Sequence, residues 1–349
     1  MFDNTKRVFW FDDYKTPNVA DVLSTNNDIT LHRLAFDGPE DDNWPVMEQS
    51  HVYCITSAKD EVPDQYKGTK ELIERCKSLL AMSASGAGYD PIDVAACTAA
   101  GVLVVNQSGA NAEAVAEHVI AMMLSLSKKI AQSDRSLHTE RGINREVFKG
   151  RNAQGRTIGI IGIGNVGRRV ARICGKGIEM RVLAYDPYLT EAEIEARGAL
   201  SVQLDELLAH SDFVTVHCPL NDETRGLIGR QELALMRSSA FLINTARGGV
   251  VDEDALSGAL TDGKIAGAGV DVWMVEPPPM DHQLLTFDNV LATYHTAGVT
   301  EDSRTLMAQW NADQVVQILR GERPPRLINP EAWDKFSARF EQAFGFKPA

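Results

Sequence analysis

The chain has 349 residues, of which 44% are hydrophobic and 24% are charged, a globular composition long enough for two domains with separate cores. Its formal net charge of −13 argues against a general surface for nucleic acid or anionic membranes. An anionic ligand would therefore need a local concentration of positive charge.

The cysteines and the apolar segments indicate the cellular compartment. The five cysteines lack the spacing of a metal or redox motif, so we expect reduced core thiols and no metal centre. The first residues do not resemble a secretory signal. The longest apolar segment contains Glu117 and His118 and is too short to cross a bilayer. We therefore expect a cytoplasmic protein with no nucleic-acid or membrane partner.

Short β-branched runs alternate with helical patterns along most of the chain, which is typical of parallel α/β layers. The first series of predicted strands covers residues 7–11, 52–56, 79–83 and 102–105. A long helix is then predicted from about Asn111 to Lys129, followed by a polar segment over 132–151. The second series covers residues 157–161, 181–185, 213–216, 240–244, 266–271 and 290–293.

The two series of strands predict two domains. The chain first crosses between them near 108–111, and a helical pattern over 301–320 returns to the first. We therefore expect a discontinuous substrate-binding domain formed by residues 1–107 and 297–349, and a dinucleotide-binding domain over 108–296.

A glycine-rich loop opens the second series. Residues 157–167 read TIGIIGIGNVG, an apolar strand that enters Gly162-x-Gly164-x-x-Gly167 before a helical pattern. Such a loop turns tightly, lets the backbone approach a pyrophosphate, and places the phosphates at a helix N-terminus. The next strand ends at Asp186, about twenty residues further on, where an acid binds the adenosine ribose hydroxyls and repels a 2′-phosphate. The cofactor is therefore predicted to be NAD.

Three ionisable side chains follow predicted strands of the second series. They are Arg247 in TARGG, Glu276 in DVWMVEPPP and His295 in TYHTAG. Any one of them alone could be an ordinary surface or core residue. Together, at the carboxyl edge of a dinucleotide-binding sheet, they suit reduction of a 2-oxo acid. A guanidinium can orient the substrate carboxylate, a histidine can donate the proton, and a carboxylate can fix the histidine tautomer.

The order of motifs resembles the D-specific 2-hydroxyacid dehydrogenase family, in its phosphoglycerate dehydrogenase-like and hydroxypyruvate/glyoxylate reductase-like group. The resemblance covers roughly residues 50–330. It is carried by SASGAGYDPIDVAACTAAGVLVVN, NAEAVAEHVI, IGIIGIGNVGRRVA, VHCPLNDETRGLIG, FLINTARGGVVDEDAL, GAGVDVWMVEPPP and YHTAG. The implied fold is α/β, with two doubly wound domains: a Rossmann NAD-binding domain and a flavodoxin-like substrate domain.

The resemblance also implies site residues. Arg247 would clamp the substrate, His295 would be the acid/base with Glu276 as its partner, and Asp271 would lie near the nicotinamide carboxamide. The loop Ser85-Gly86-Ala87 would offer backbone N–H groups to the substrate carboxylate. Further cofactor contacts would come from Asn165, Val166, His217, Cys218, Pro219, Thr224, Thr245, Ala246 and Gly298. The family is usually dimeric, here through a segment near 111–151.

Two departures and two alternatives remain. Tyr294 stands where many members have proline, and Ala84 stands where many phosphoglycerate-type members have arginine, which puts a phosphorylated substrate in doubt. One alternative is the same fold acting on another small anion, such as formate or phosphite. The other is an NAD-binding regulator of the corepressor type.

The C-terminal tail carries an aromatic stripe. Trp333, Phe336, Phe340 and Phe344 recur at helical spacing. The stripe either packs against the first domain or covers the active site or a partner subunit.

Overall fold

The computed structural model describes residues 5–12, 18–57 and 59–349. The described part leaves out residues 1–4, 13–17 and 58. The N-terminal residues that do not resemble a secretory signal therefore lie partly outside it. The chain divides into two compact units, Met1–Asn111 with Val299–Ala349 (unit 1) and Ala112–Gly298 (unit 2). The assignment of functional domains with boundaries after residues 107 and 296 stays a prediction.

Unit 1 is a parallel sheet covered by helices. Its strands pair in the order β2-β1-β3-β4-β5, and every pairing is parallel, the flavodoxin-like strand order. The strands are β1 (Lys6–Phe11), β2 (Ile29–Leu34), β3 (Val52–Ile55), β4 (Ala81–Ala84) and β5 (Leu103–Val105). The helices, numbered along the whole chain, are α1 (Asn18–Ser24), α2 (Glu40–Gln49), α3 (Lys70–Arg75), α4 (Val94–Ala100), α12 (Glu301–Leu319) and α13 (Trp333–Phe344).

Unit 2 is a seven-stranded parallel sheet in the order β12-β11-β10-β9-β6-β7-β8. Its strands are β6 (Thr157–Ile161), β7 (Arg181–Tyr185), β8 (Leu200–Ser201), β9 (Phe213–Val216), β10 (Phe241–Asn244), β11 (Gly267–Val270) and β12 (Val290–Ala292). Its helices are α5 (Ala112–Lys128), α6 (Ile130–Thr139), α7 (Gly167–Arg172), α8 (Glu191–Ala196), α9 (Leu204–His210), α10 (Arg230–Leu235) and α11 (Glu253–Thr261). The order reverses between β6 and β9, the switch point at which Rossmann folds bind ligands.

The predicted fold class is confirmed, with two strands and one helix missed. The sequence did not predict β2 or β8, and the segment expected to be only polar contains α6. β2 lies at a sheet edge and includes Thr30, His32 and Arg33, so its backbone ladder with β1 holds it rather than a continuous apolar run. Within the described residues, no helix combines the length and apolar character needed to cross a membrane.

The aromatic stripe of the tail packs inside unit 1. Helix α13 buries Phe336, Phe340 and Phe344 in the core that also contains residues of β1, β3 and α12. The fourth ring, Trp333, is partly buried against the same core. The structure therefore supports the packing role of the tail.

Candidate active site

The glycine loop has the geometry that its sequence predicted. Gly162 has φ +87°, in the left-handed region. A Cβ on Gly167 would lie 2.3 Å from the carbonyl oxygen of Gly162, so α7 and the loop pack too closely for a side chain. A Cβ on Gly164 would meet nothing within 4 Å. The backbone at Gly164 therefore faces open space, where a pyrophosphate can approach it.

Asp186 follows β7 directly and joins the glycine loop to the next turn. Its Oδ2 accepts from the Ile163 N–H at 3.1 Å, and its Oδ1 accepts from the Tyr188 N–H at 3.2 Å. These bonds fix the direction of the carboxylate beside the loop. A fixed carboxylate at this place can accept from ribose hydroxyls, and a negative charge there disfavours a 2′-phosphate.

The other predicted cofactor residues lie on segments that follow strands of the same sheet. His217, Cys218 and Pro219 come after β9, and Thr245 and Ala246 come after β10. Burial lowers the pKa of His217 to about 3, so its imidazole is neutral, and its Nε2 lies 3.0 Å from Thr215 Oγ1. The Thr245 hydroxyl is buried without a partner in the described part of the chain. Such an orphaned donor fits a site completed by a bound ligand.

The three side chains predicted for catalysis lie together in unit 2. His295 Nδ1 and Glu276 Oε2 are 2.7 Å apart, and their side chains are 36% and 22% exposed. The other Glu276 oxygen accepts from the Trp273 N–H at 2.9 Å. A carboxylate can only accept, so Nδ1 of His295 carries the proton and Nε2 is left for other chemistry. Arg247 donates through Nη1 to the Ala246 carbonyl at 2.7 Å.

The electrostatics of this trio keep the histidine protonated to higher pH. The pKa of His295 is raised chiefly by its hydrogen bond to Glu276, while burial and the positive charge of Arg247 oppose this. Burial on its own raises the pKa of Glu276. Hydrogen bonds from His295 and the Trp273 N–H, with the charges of His295 and Arg247, nevertheless hold that pKa below its usual range. The pair is therefore an ionised carboxylate beside a readily protonated imidazole.

Asp271 holds the turn that presents His295. Its side chain is fully buried. Its Oδ1 accepts from Thr293 Oγ1 at 2.5 Å and from the Thr296 N–H at 2.8 Å. Its Oδ2 accepts from the Ala297 N–H at 3.0 Å. Its backbone carbonyl accepts from the His295 N–H at 2.7 Å. His295 has φ +52°, which costs a non-glycine residue energy. Asp271 thus stabilises the turn that carries His295. The sequence predicted only that Asp271 lies near the nicotinamide.

Sequence reasoning missed the residues that support the trio. His118 of α5 lies 3.3 Å from Thr293 Oγ1 through its Nε2. Glu253 accepts from the Met274 N–H at 2.7 Å and pairs with His282 Nε2 at 3.0 Å, which anchors the loop carrying Glu276. A histidine within the apolar pattern of α5 was the one visible signal. No group of three or more metal-ligating side chains is found among the residues described.

The loop predicted to bind the substrate carboxylate follows β4 in unit 1. The Ser85 N–H donates to the Ile55 carbonyl at 2.9 Å, which leaves the N–H groups of Gly86 and Ala87 as the loop's backbone donors. A Cβ on Gly86 would lie 2.8 Å from Ser57 Oγ. A side chain at Gly86 would therefore require the Ser57 hydroxyl to move.

This combination of fold and site defines an NAD-binding domain with an acid–base pair, and comparison with known proteins gives the family. Residues 120–297 match the model of the D-isomer specific 2-hydroxyacid dehydrogenase, NAD binding domain. A glyoxylate reductase of Korarchaeum cryptofilum is 38% identical over 264 residues, which cover 75% of this chain and 79% of that protein. The chain belongs to the D-isomer specific 2-hydroxyacid dehydrogenase family.

Other relatives are longer than this chain. The D-3-phosphoglycerate dehydrogenase of Archaeoglobus fulgidus is 42% identical over 268 residues, which cover 77% of this chain and 50% of that protein. The chain thus spans about half the length of this relative. Among solved structures, a glyoxylate reductase from Paecilomyes thermophila superposes with a TM-score of 0.82 at 26% identity, covering 94% of this chain and 99% of that one.

A D-lactate dehydrogenase from Aquifex aeolicus, solved with NAD and lactic acid, superposes with a TM-score of 0.79. It is 27% identical and covers 92% of this chain and 99% of that one. NAD binding is therefore a property of this family. The glycine loop and Asp186 of the present chain fit that property.

Proposed function

We propose that this protein is an NAD-dependent oxidoreductase that transfers a hydride between nicotinamide and C2 of a small D-2-hydroxy acid or 2-oxo acid. The observation that carries the proposal is the contact of 2.7 Å between His295 Nδ1 and Glu276 Oε2. It lies in the NAD-binding domain of a dehydrogenase family, in the unit that also holds Arg247. Bound NAD supplies the hydride chemistry.

The chain's own residues supply the proton and the orientation. Glu276 accepts from Nδ1 of His295, so Nε2 can donate a proton to the substrate oxygen during reduction and recover it during oxidation. Arg247 presents a planar, permanently charged fork that matches a carboxylate and polarises the neighbouring carbonyl. The N–H groups of Gly86 and Ala87 bind the substrate carboxylate, and Ser85 completes that loop.

The cofactor contacts remain part of the proposal. Gly162, Gly164 and Gly167 form the pyrophosphate turn, and Asp186 binds the adenosine ribose. The remaining proposed contacts are Asn165, Val166, His217, Cys218, Pro219, Thr224, Thr245, Ala246, Asp271 and Gly298.

Two alternatives are less well supported. A regulator that only senses NAD would not need an oriented proton donor, so the intact His295–Glu276 pair favours catalysis. Oxidation of formate to carbon dioxide transfers a hydride with no proton transfer to or from an oxygen, so the same pair argues against formate as the substrate. We also propose that the protein works in the cytoplasm and forms a homodimer through the segment near 111–151.

The proposed function is tested by NADH oxidation with glyoxylate, pyruvate and hydroxypyruvate, measured as kcat/KM in both directions. Arg247→Ala should lower kcat/KM by about 100-fold or more, because a charged bidentate clamp contributes on the order of 3 kcal/mol in a water-poor site. Arg247→Lys should recover little, since an ammonium cannot reproduce the fork. NADH binding should stay within a few-fold in both variants.

A fully active Arg247→Lys enzyme would remove the clamp role. Tight NADH binding by the wild-type protein without turnover of any acid in the panel would instead favour the regulator.

A further inference from the structure

Unit 1 contains a cluster of buried amide side chains that the proposed mechanism does not use. We call Asn106, Gln107, Asn311 and Gln314 the amide cluster; they are 3%, 0%, 0% and 1% exposed. An amide buried without partners costs several kcal/mol, so each of these groups must be hydrogen-bonded by something nearby. Their partners reveal what the cluster holds.

Two members of the amide cluster bind the same backbone carbonyl. The Ala84 oxygen, at the end of β4, accepts from Gln107 Nε2 at 3.1 Å and from Asn311 Nδ2 at 3.3 Å. These residues come from the segment after β5 and from α12. Both lone pairs of one carbonyl are therefore occupied by side chains that are far apart in sequence.

Two further carbonyls of the loop, those of Gly86 and Ala87, face the cluster as well. The Gly86 oxygen accepts from the Gln107 N–H at 2.8 Å, and the Ala87 oxygen accepts from Asn106 Nδ2 at 2.7 Å. Gln107 thus holds the loop twice, once through its side chain and once through its backbone.

Gln314 holds Gln107 in place. Its Nε2 donates to Gln107 Oε1 at 2.9 Å and to the Asn106 carbonyl at 3.0 Å. Its Oε1 accepts from the Arg326 N–H at 3.0 Å. Since a carboxamide between two such partners has a fixed orientation, Gln314 decides which end of the Gln107 amide faces the loop.

Holding these carbonyls also sets the direction of a backbone N–H group on the opposite side of the loop. The C=O and N–H of a trans peptide point in opposite directions, so turning the Gly86 carbonyl toward the cluster turns the Ala87 N–H away from it. The structure gives neither Gly86 N–H nor Ala87 N–H an acceptor within the described residues. The Ala87 N–H is therefore presented by a peptide whose carbonyl is held from behind, and the Gly86 N–H lies one residue earlier in the same loop.

We propose that Gln107 and Asn311, oriented by Gln314, are positioning residues for substrate binding. They fix the loop so that the N–H groups of Gly86 and Ala87 point at the carboxylate of a small 2-oxo acid. This inference rests on the proposed function. Because a carboxylate is present in both the ground state and the transition state of the reaction, its loss of binding should appear in KM and not in kcat.

The test uses Gln107→Met and Asn311→Leu, which keep the approximate size of each side chain and remove its donor. Gln309→Leu is the matched control, because Gln309 lies on the same helix as Asn311, is exposed, and donates to the exposed side chain of Asp313 at 2.9 Å. All are assayed below their melting temperatures with the best substrate among glyoxylate, pyruvate and hydroxypyruvate. NADH affinity is measured by fluorescence.

We expect KM for the acid to rise about tenfold in the two cluster variants, about 1.4 kcal/mol, with kcat within twofold and NADH affinity unchanged. The control should match the wild type. If a cluster variant does not fold, Gln314→Met, which acts one step further away, should raise KM by a smaller factor.

Unchanged KM in folded variants with lowered melting temperature would reduce the cluster to ordinary packing and overturn the inference. A fall in kcat at constant KM would overturn it too, since the effect would then be on chemistry. Absence of turnover by the wild-type protein is a separate result, which removes the proposed function and this inference with it.

Discussion

At the scale of single residues, one hydrogen bond decides which nitrogen of His295 can act on a substrate. Glu276 accepts from Nδ1, and the carboxylate raises the pKa of the imidazole. The form that donates a proton therefore persists to higher pH than in an isolated histidine. Reduction needs this protonated form, whereas oxidation needs the neutral one.

Replacing Glu276 by Gln should move the basic limb of the reduction profile to lower pH. The amide removes the negative charge that raises the pKa of His295, so the imidazole loses its proton earlier as the pH rises. His295→Gln, which removes proton transfer altogether, should lower kcat by about 10²- to 10⁴-fold. The profile of kcat/KM against pH checks the shift. A basic limb that stays in place while chemistry limits the rate would contradict the role of Glu276.

The carboxylate of Asp186 should set the preference for NADH over NADPH. Asp186→Ala should relax discrimination against NADPH by about tenfold or more, because a fixed carboxylate beside a 2′-phosphate costs over 1.4 kcal/mol. The ratio of kcat/KM for NADH and NADPH measures this. Asp205→Ala changes the net charge equally at an exposed site of the same unit and should leave the ratio unchanged. Equal ratios in all three proteins would mean that the cofactor is selected elsewhere.

Among the helices and strands, the sequence predicts elements that come from one continuous apolar run. It does not predict contacts between segments that are distant in the chain. Central strands such as β6 and β9 were predicted at their observed bounds because parallel strands buried on both faces are unbroken apolar runs. Glu276 and His295 could be grouped because successive parallel strands end at one edge. The shared carbonyl of Ala84, which accepts from both Gln107 and Asn311, could not be predicted, since it joins distant segments whose amides resemble surface residues.

Helix α13 is held to unit 1 by one arginine as well as by its rings. Arg339 donates to the carbonyls of Lys77 and Leu79 at 2.8 and 2.7 Å, and to those of Ala100 and Gly101 at 3.0 and 3.2 Å. The last two lie at the C-terminal end of α4, where carbonyls have no helical partner and the dipole favours a cation.

Arg339→Met should therefore lower the free energy of unfolding by about 2–4 kcal/mol, since it keeps an apolar stem and leaves four carbonyls without their donor. Lys335→Met is the control. Lys335 is exposed on the same helix and makes one bond, to the Ala99 carbonyl at 3.1 Å, so its loss should cost about 0.5 kcal/mol or less. Urea unfolding followed by tryptophan fluorescence measures both. Equal stability of the two variants would show that the rings alone hold α13.

In the molecule as a whole, the segment that contains α6 is one of the places in unit 2 where large apolar side chains are exposed. Ile130, Leu137 and Val147 are 57%, 70% and 56% exposed, and helix α6 has no buried residue. Single exposed apolar side chains are ordinary, but three on one short segment mark a surface that another chain can cover. The same segment was predicted to carry the dimer contact. The proposed homodimer would bury these side chains against a second copy.

We therefore expect the wild-type protein to have the mass of a dimer in light scattering coupled to size exclusion, and Leu137→Lys to shift it toward the monomer. Burying one leucine contributes about 1.5–3 kcal/mol, and a lysine in its place would also bring a charge into an apolar contact, twice in a symmetric dimer. Leu235→Lys makes the same change at a leucine that is 43% exposed on α10 and should leave the mass unchanged. A monomeric wild-type protein would refute the dimer, and a Leu137→Lys protein that stays dimeric at low micromolar concentration would place the contact outside α6.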